Sequence, residues 1–448
     1  MPRLALTATA DDHTRADIVE RLQLQAARLF VASFDRPNIR YTIVEKDEPK
    51  RQLLRFLRDE HDGDAGIVYC QSRKRVEETA AWLNDEGIAA LPYHAGLDAD
   101  VRRRHQDRFL REEGIVMVAT IAFGMGIDKP DVRFVAHLDL PKNIESYYQE
   151  TGRGGRDGLP ADAWMTYGLA DVVNQRRMID DSDAGEDFKR LQRGKLDALL
   201  ALAEAHDCRR VRLLAYFGQA SEVCGNCDNC LHAPATWDAT DAARKALSCI
   251  YRFRQHGGQR APRSFGAGHL VDVLRGKRSE KVLQYGHDEL STFGVGADVS
   301  EAQWRLVLRQ LIALGHVRAE GEYNTLALTD SAREVLRGDV TLHLRVPADP
   351  KPRGKAAKAP RSRSGLARPP LPLDDAAGER FAALKAWRAE VASEHNLPAY
   401  IVFHDAALAE MARAVPATLD ELAAINGVGA TKLARYGADI LRVLSTAA

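Results

Sequence analysis

Four of the six cysteines lie close enough along the chain to act as one group. Cys208 is separated by fifteen residues from Cys224-Gly-Asn-Cys-Asp-Asn-Cys230. The two-residue gaps on this Gly- and Asn-rich turn bring three sulfurs to one point, and Cys208, just before a helix carrying Arg209, Arg210 and Arg212, supplies the fourth. Such clustering favours metal over disulfides in a cytoplasmic protein. Four soft thiolates suit tetrahedral zinc and leave no open position, so the expected role is structural. The same ligands also allow an iron–sulfur cluster. His206 and His232 flank the turn, but Cys208, Cys224, Cys227 and Cys230 already complete a zinc site. Cys70, within a strand, reads as a small hydrophobe.

A second constellation is Gln149-Glu-Thr-Gly-Arg-Gly-Gly-Arg-Asp157. Two arginines three residues apart among glycines are poor structural material, because glycine costs helix stability and guanidinium groups need partners. Such a loop can aim Arg153 and Arg156 at a triphosphate and stabilise charge developing in phosphoryl transfer. A surface salt-bridge loop is the bland alternative. Earlier, Val118-Ala-Thr-Ile-Ala-Phe-Gly-Met-Gly-Ile-Asp-Lys129 places glycines 124 and 126 after a strand. They let the loop pass close to a phosphate or a facing domain, or simply turn.

These groups need a scaffold. Over residues 66–168 short apolar runs alternate with amphipathic stretches: strands at 66–70, 115–120, 133–140 and 161–167, and a helix at 74–84 burying Val76, Ala80 and Leu83. Near-continuous apolar strands between helices imply a parallel sheet covered on both faces. Helices follow over 169–205, and another helix is expected at 14–22. Residues 241–336 are helical, with an apolar stripe of Trp304, Leu306, Val307, Leu311, Ile312 and Leu314, and end in an expected hairpin around 317–328. Helices followed by a two-stranded wing suggest a winged helix, a fold that commonly sits on DNA. Residues 347–374 are rich in proline and basic residues and cannot bury a core, so they form a linker. It serves as a solvated tether, or its charge tracks phosphates. Residues 376–448 form a compact helical module.

Together the motifs resemble those of the RecQ family of superfamily 2 DNA helicases. Thr7-Ala-Thr9, Tyr69-Cys-Gln-Ser-Arg73, Tyr93-His-Ala-Gly-Leu97, Ala119-Thr-Ile-Ala-Phe-Gly-Met-Gly-Ile-Asp-Lys-Pro130 and Tyr147-Tyr-Gln-Glu-Thr-Gly-Arg-Gly-Gly-Arg-Asp-Gly158 occur in the family's order, third motif to sixth. The resemblance implies a remnant of a first RecA-like lobe at 1–35 and a second lobe, an α/β parallel sheet with helices on both faces, at 36–168. A helical zinc-binding subdomain would span 169–235, a winged helix 236–345, a linker 346–375 and an all-α HRDC domain 376–448. Arg156 is then the arginine-finger position and Arg153 its companion, with Gln149 counted among the catalytic candidates. Ser72, Arg73, His94, Gly96, Thr120 and Met125 fall where the second lobe touches the DNA backbone, and Asp128 braces its loop. Tyr285-Gly-His-Asp-Glu-Leu290 and Phe293-Gly-Val-Gly296 match the winged helix, and Pro398-Ala-Tyr-Ile-Val-Phe-His-Asp405 and Ile425-Asn-Gly-Val-Gly-Ala-Thr-Lys432 the HRDC domain. Tyr400 is at a position that stacks on unpaired bases in some relatives, although half-buried packing would also suit it. Gly427 and Gly429 before a helix suit either a phosphate site or a cap.

The same family needs a Gly-x-x-x-x-Gly-Lys-Ser/Thr loop and an Asp-Glu pair for ATP and Mg2+. Gly-Lys pairs at 194–195, 276–277 and 354–355 lack both the upstream glycine and the Ser/Thr, and no Asp-Glu-x-His follows an apolar strand. The expectation is a fragment or a misplaced start, with structural zinc present and ATP and Mg2+ bound only by the full-length protein. The expected function is ATP-dependent 3′→5′ unwinding of forked or duplex DNA in repair, recombination and replication. The expected partners are single-stranded and forked DNA, a single-strand-binding protein and other repair factors. Rival readings are an ATP-independent DNA-binding or strand-annealing module, an RNA helicase and a zinc-bearing regulator. Lys plus Arg and Asp plus Glu both total 63, so net charge does not point to nucleic acid, though a local basic groove suffices. No apolar run is long enough for a membrane span and no secretory signal opens the chain, so a cytoplasmic, nucleoid-associated protein is expected.

Overall fold

From the N-terminus the elements are α1 (Asp12–Arg21), β1 (Ile39–Glu45), α2 (Pro49–Glu60), β2 (Gly66–Tyr69), α3 (Arg73–Asp85), β3 (Ala90–Tyr93), α4 (Ala99–Arg111), β4 (Val116–Ala119), β5 (Phe134–His137), α5 (Ile144–Thr151) and β6 (Ala161–Tyr167). The computed structural model describes all residues except 1–2, 8, 10–11, 125–126, 257–263, 321–324, 347–372, 396 and 447–448. The basic linker and Met125 therefore lie outside the described residues. Two units are formed, one from Met1–Ser33, Lys142–Tyr147 and Tyr167–Pro360, the other from Phe34–Pro141, Tyr148–Thr166 and Arg361–Ala448.

In the second unit the six strands make one sheet in the order β1-β6-β5-β2-β4-β3. Strands β2 to β6 run parallel. Side chains alternate across a strand, so each strand feeds two cores. Val68, Val116, Val118 and Ala136 pack with Leu53, Phe56 and Leu57 of α2 and Val76, Ala80 and Leu83 of α3. Ile67, Met117, Ala119 and Val135 pack on the opposite face with Phe109 of α4 and with Phe123, Ile127 and Val132. Continuous apolarity in these strands thus records burial on both faces. The strand expected over 133–140 is shorter, ending at His137. Beyond it Leu138 still donates its amide to the Tyr69 carbonyl.

The same unit holds a helical module at the C-terminal end of the chain. In the first unit come α6 (Leu169–Asp180), α7 (Glu186–Glu204), α8 (Arg209–Tyr216), α9 (Asp228–Leu231), β7 (Thr236–Asp238), α10 (Thr240–His256), α11 (Ala267–Leu274), α12 (Glu280–Gln284), α13 (Glu301–Ala313), β8 (Val317–Glu320), β9 (Thr325–Leu328), α14 (Ala332–Arg337) and β10 (His343–Arg345). Strands β8 and β9 form the antiparallel wing, and β10 returns to pair antiparallel with β7. Trp304 of α13 is fully buried and donates Nε1 to the Gly296 carbonyl at 3.0 Å. Leu314, expected in the same buried stripe, sits at the helix C-cap and is 45% exposed, because the helix ends one residue before it. A buried polar chain ties the wing-bearing domain to the cysteine region. Glu204 accepts from Tyr167 and from Arg309 Nε (2.7 Å), and Arg345 reaches the Asn229 side chain at 3.3 Å.

The C-terminal helices are α15 (Asp375–Glu394), α16 (Ala399–Val402), α17 (Asp405–Ala414), α18 (Leu419–Ala423) and α19 (Ala430–Thr446). Asp374 caps α15 by accepting the Ala377 amide at 2.7 Å, and Leu384, Trp387, Phe403, Leu408, Met411, Leu422 and Ile440 form the core. Arg388 is fully buried against Asp405 (2.7 Å), the Phe403 carbonyl (2.7 Å) and Glu113 (2.7 Å). Among the described residues no helix is long and apolar enough to cross a membrane.

Candidate functional site

The arginine loop follows α5, and its carbonyls are held by side chains preceding β1. Arg36 donates to the carbonyls of Gly152, Gly154 and Gly155 at 3.0, 2.8 and 2.9 Å, and Asn38 donates to those of Gly155 and Leu159 at 2.7 and 2.8 Å. Sequence reasoning missed both; the available signal was Arg36-Pro-Asn38 directly ahead of an alternating strand. The loop then sends two guanidinium groups to the segment after β4. Half-buried Arg153 donates Nη1 to the Gly124 carbonyl, and exposed Arg156 donates to the Ile127 carbonyl (3.0 Å) and to Asp128 (2.7 Å). Gly124 has a φ of +149°, and a Cβ there would lie 2.2 Å from Arg153 Nη2, so only glycine lets the arginine approach. Tyr69 at the end of β2 donates its buried hydroxyl to the Phe123 carbonyl at 3.0 Å. Burial holds that hydroxyl far above the ordinary tyrosine value, with the Arg153 charge opposing. Gln149 is exposed on α5.

The residues expected on DNA are presented at the strand ends of the same sheet. Ser72 is the N-cap of α3 and accepts the Arg75 amide at 3.3 Å, leaving Ser72 and Arg73 exposed. Gly96 lies under Arg73: a Cβ would meet its Cδ and Nη1 at 3.0 Å. His94 departs from the expected contact role. It is 3% exposed, Nε2 meets Glu77 at 2.9 Å and Nδ1 accepts the Gly96 amide at 3.2 Å. Both ring nitrogens are therefore engaged within the chain, and the ring holds the loop that presents Gly96. Thr120 is half-buried and its amide donates to the Tyr93 carbonyl at 3.2 Å. Tyr400 is partly buried, with its ring stacked on His404 at 6.2 Å. Its hydroxyl is pushed up by burial and, less, by the Asp128 and Asp131 carboxylates.

The four cysteines converge. Their Sγ atoms all lie within 4.8 Å of one another. Cys224 and Cys230 are 3.8 Å apart and Cys227 and Cys230 3.4 Å. A zinc ion with four bonds of about 2.3 Å has tetrahedron edges of about 3.8 Å, so the cluster fits structural zinc. Hydrogen bonding from Cys224, against the cost of burial, pushes the Cys227 thiol down to about 5, and backbone amides of Arg209 and Cys230 assist. Behind the turn, Arg209 is almost wholly buried and grips Asp228 through Nε (2.5 Å) and Nη2 (2.8 Å), while Asn229 donates to the carbonyls of Ala205 and Asp207 at 2.7 and 2.8 Å. Arg209 thus pins the ligand turn to the end of α7.

Four family signatures match in succession. The helicase conserved C-terminal domain covers residues 48–158, the RecQ zinc-binding domain 169–231, the RQC domain 233–353 and the HRDC domain 377–444. The ATP-dependent DNA helicase RecQ of Pasteurella multocida is 43% identical over 446 residues, spanning 99% of this chain and 67% of that protein. The chain belongs to the RecQ family of ATP-dependent DNA helicases. The Haemophilus influenzae RecQ helicase is also 43% identical, over 99% of this chain and 69% of its own length, and the Bacillus subtilis RecQ helicase is 35% identical over 97% and 68%. The RecQ frame accounts for the parallel sheet, the cysteine cluster, the wing and the C-terminal helices as one succession.

Proposed function

We propose that this RecQ chain grips single-stranded and forked DNA for 3′→5′ unwinding in repair, recombination and replication, and contributes the charge-stabilising arginines of ATP hydrolysis. The observation that carries the proposal is the pairing of Arg153 and Arg156 on one loop, with carbonyls clamped by Arg36 and Asn38 and guanidinium groups braced on Gly124, Ile127 and Asp128. ATP with Mg2+ supplies the phosphoryl group whose transfer releases energy. Arg156, exposed and held by one edge, is the finger, and Arg153 carries the neighbouring charge and fixes the loop. Gln149 stands on the helix that delivers both. Asp128 keeps Arg156 extended and yields it to a triphosphate, whose charge exceeds that of one carboxylate. Ser72, Arg73, Gly96 and Thr120 meet the backbone, with His94 setting the position of Gly96. Tyr400 stacks on an unpaired base, and Met125 belongs to the same strand-contacting set.

The sequence contains no Gly-x-x-x-x-Gly-Lys-Ser/Thr loop, so these 448 residues bind DNA without turning over ATP by themselves. The rest of the proposal places the chain in the cytoplasm at the nucleoid, with a single-strand-binding protein among its partners. Fluorescence anisotropy with labelled forked DNA, single-stranded DNA and duplex RNA tests the binding part. Preference for the fork, with affinity falling steeply as salt rises, is expected. Equal affinity for RNA and a flat salt response would contradict it. Tyr400→Ala should weaken single-strand binding about tenfold, in line with about 1–3 kcal/mol per stacked base.

A further inference from the structure

Asp139 lies just past β5 and is 6% exposed, yet it carries three contacts from two separate stretches of chain. Oδ2 accepts the Gln71 amide at 2.9 Å, and Oδ1 accepts Arg75 Nη1 at 2.6 Å and Lys46 Nζ at 3.2 Å. A buried carboxylate is expensive unless it is paired and hydrogen-bonded, so these partners are fixed in place. Gln71 opens the turn that carries exposed Ser72 and Arg73, Arg75 is in the first turn of α3, and Lys46 directly follows β1. One carboxylate here holds two cations, Lys46 and Arg75, next to exposed Arg73, while exposed Lys74 pairs with Glu78 at 3.7 Å. The Arg75 side chain remains 38% exposed while one nitrogen is spent on Asp139.

We infer that Lys46 and Arg75 extend the phosphate-binding surface for single-stranded DNA, and that Asp139 is the residue that positions them and the Gln71–Arg73 turn. The inference rests on the DNA-binding reading above. Neither cation lies in the Tyr69–Arg73 motif, and their convergence is visible only through Asp139. The ligand chemistry is the phosphodiester, recognised by a forked guanidinium and an ammonium side by side. A purely structural ion pair would stabilise the fold but would leave the count of phosphate contacts unchanged.

The test is equilibrium binding of a labelled oligo-dT strand to the 448-residue chain over a salt series. Arg75→Ala changes a partly exposed side chain and should weaken binding about fivefold. It should also reduce the log–log salt slope by about 0.7, the value for one phosphate contact on a single strand. Asp139→Asn is near-isosteric and can still accept the Gln71 amide, so melting should show a folded sheet. Removing a negative charge would by itself tighten binding; loss of position should instead weaken it severalfold and lower the slope. Tighter binding by Asp139→Asn, or an unchanged slope in Arg75→Ala, overturns the inference while leaving wild-type DNA binding in place. A wild-type chain that does not bind the strand overturns the DNA-binding reading and this inference with it.

Discussion

Arg209 and Asp228 form a bidentate pair behind the cysteine turn, with N–O distances of 2.5 and 2.8 Å and the arginine side chain 1% exposed. One residue of the pair directly follows the ligand Cys208 and the other directly follows Cys227. The pair therefore ties the distant ligand to the turn whether or not metal is bound.

Breaking such a buried pair by removing one partner costs about 3–5 kcal/mol. Asp228→Ala should accordingly lower the melting temperature by several degrees and weaken zinc retention at least tenfold, read by melting and by metal content under a competing chelator. Wild-type values in both would show that the turn is held by its thiolates alone.

Cys224→Ser should reduce zinc from one ion per chain to substoichiometric levels and unfold the region around α8 and α9, because structural zinc sites couple to folding. A strong chelator should do the same to the wild-type chain. Unchanged metal content and an unchanged melting curve would remove zinc from the account. Iron in place of zinc would correct the metal.

The winged-helix domain should lose stability in acid. His269 Nε2 and His287 Nδ1 meet at 2.7 Å among Phe253, Phe265 and Tyr285. Burial, then the neighbouring His287 and Lys281, push His269 down to about 4; burial and His256 do the same to His287. The unfolded chain takes up these protons near pH 6.5, so stability is full above that value and drains as pH falls towards about 4. Melting between pH 7 and 4.5 should show the decline. His287→Gln should flatten its slope, and a slope identical to wild type would show that other groups cause it.

The sheet was legible where burial leaves a continuous apolar run, as at Gly66–Tyr69, Val116–Ala119 and Ala161–Tyr167. Strand β3, Ala-Leu-Pro-Tyr, was not, because Pro92 reads as a breaker; it survives at the sheet edge, where a missing amide donor is tolerated. The cysteine cluster and the arginine loop announced themselves through spacing and composition. Their supports did not. Arg36 lies 116 residues from Gly152, and Asp139 lies 64 from Arg75. No local period encodes such pairings, and the engagement of His94 by Glu77 was hidden for the same reason.

In a RecQ chain that carries a Walker A loop, Arg156→Ala should reduce ATP turnover by about 10³-fold or more, within the range for arginine fingers, while leaving DNA affinity within twofold. Gly124→Ala should impair turnover as well, by driving Arg153 off its carbonyl. Undiminished turnover in Arg156→Ala would place the finger elsewhere.

The decisive measurement is DNA-stimulated ATP hydrolysis by the purified 448-residue chain, made beside its DNA affinity. Tight, salt-sensitive DNA binding with no turnover above background is expected. Robust turnover abolished by Arg156→Ala would mean that these residues hold nucleotide by themselves, and would contradict the proposal.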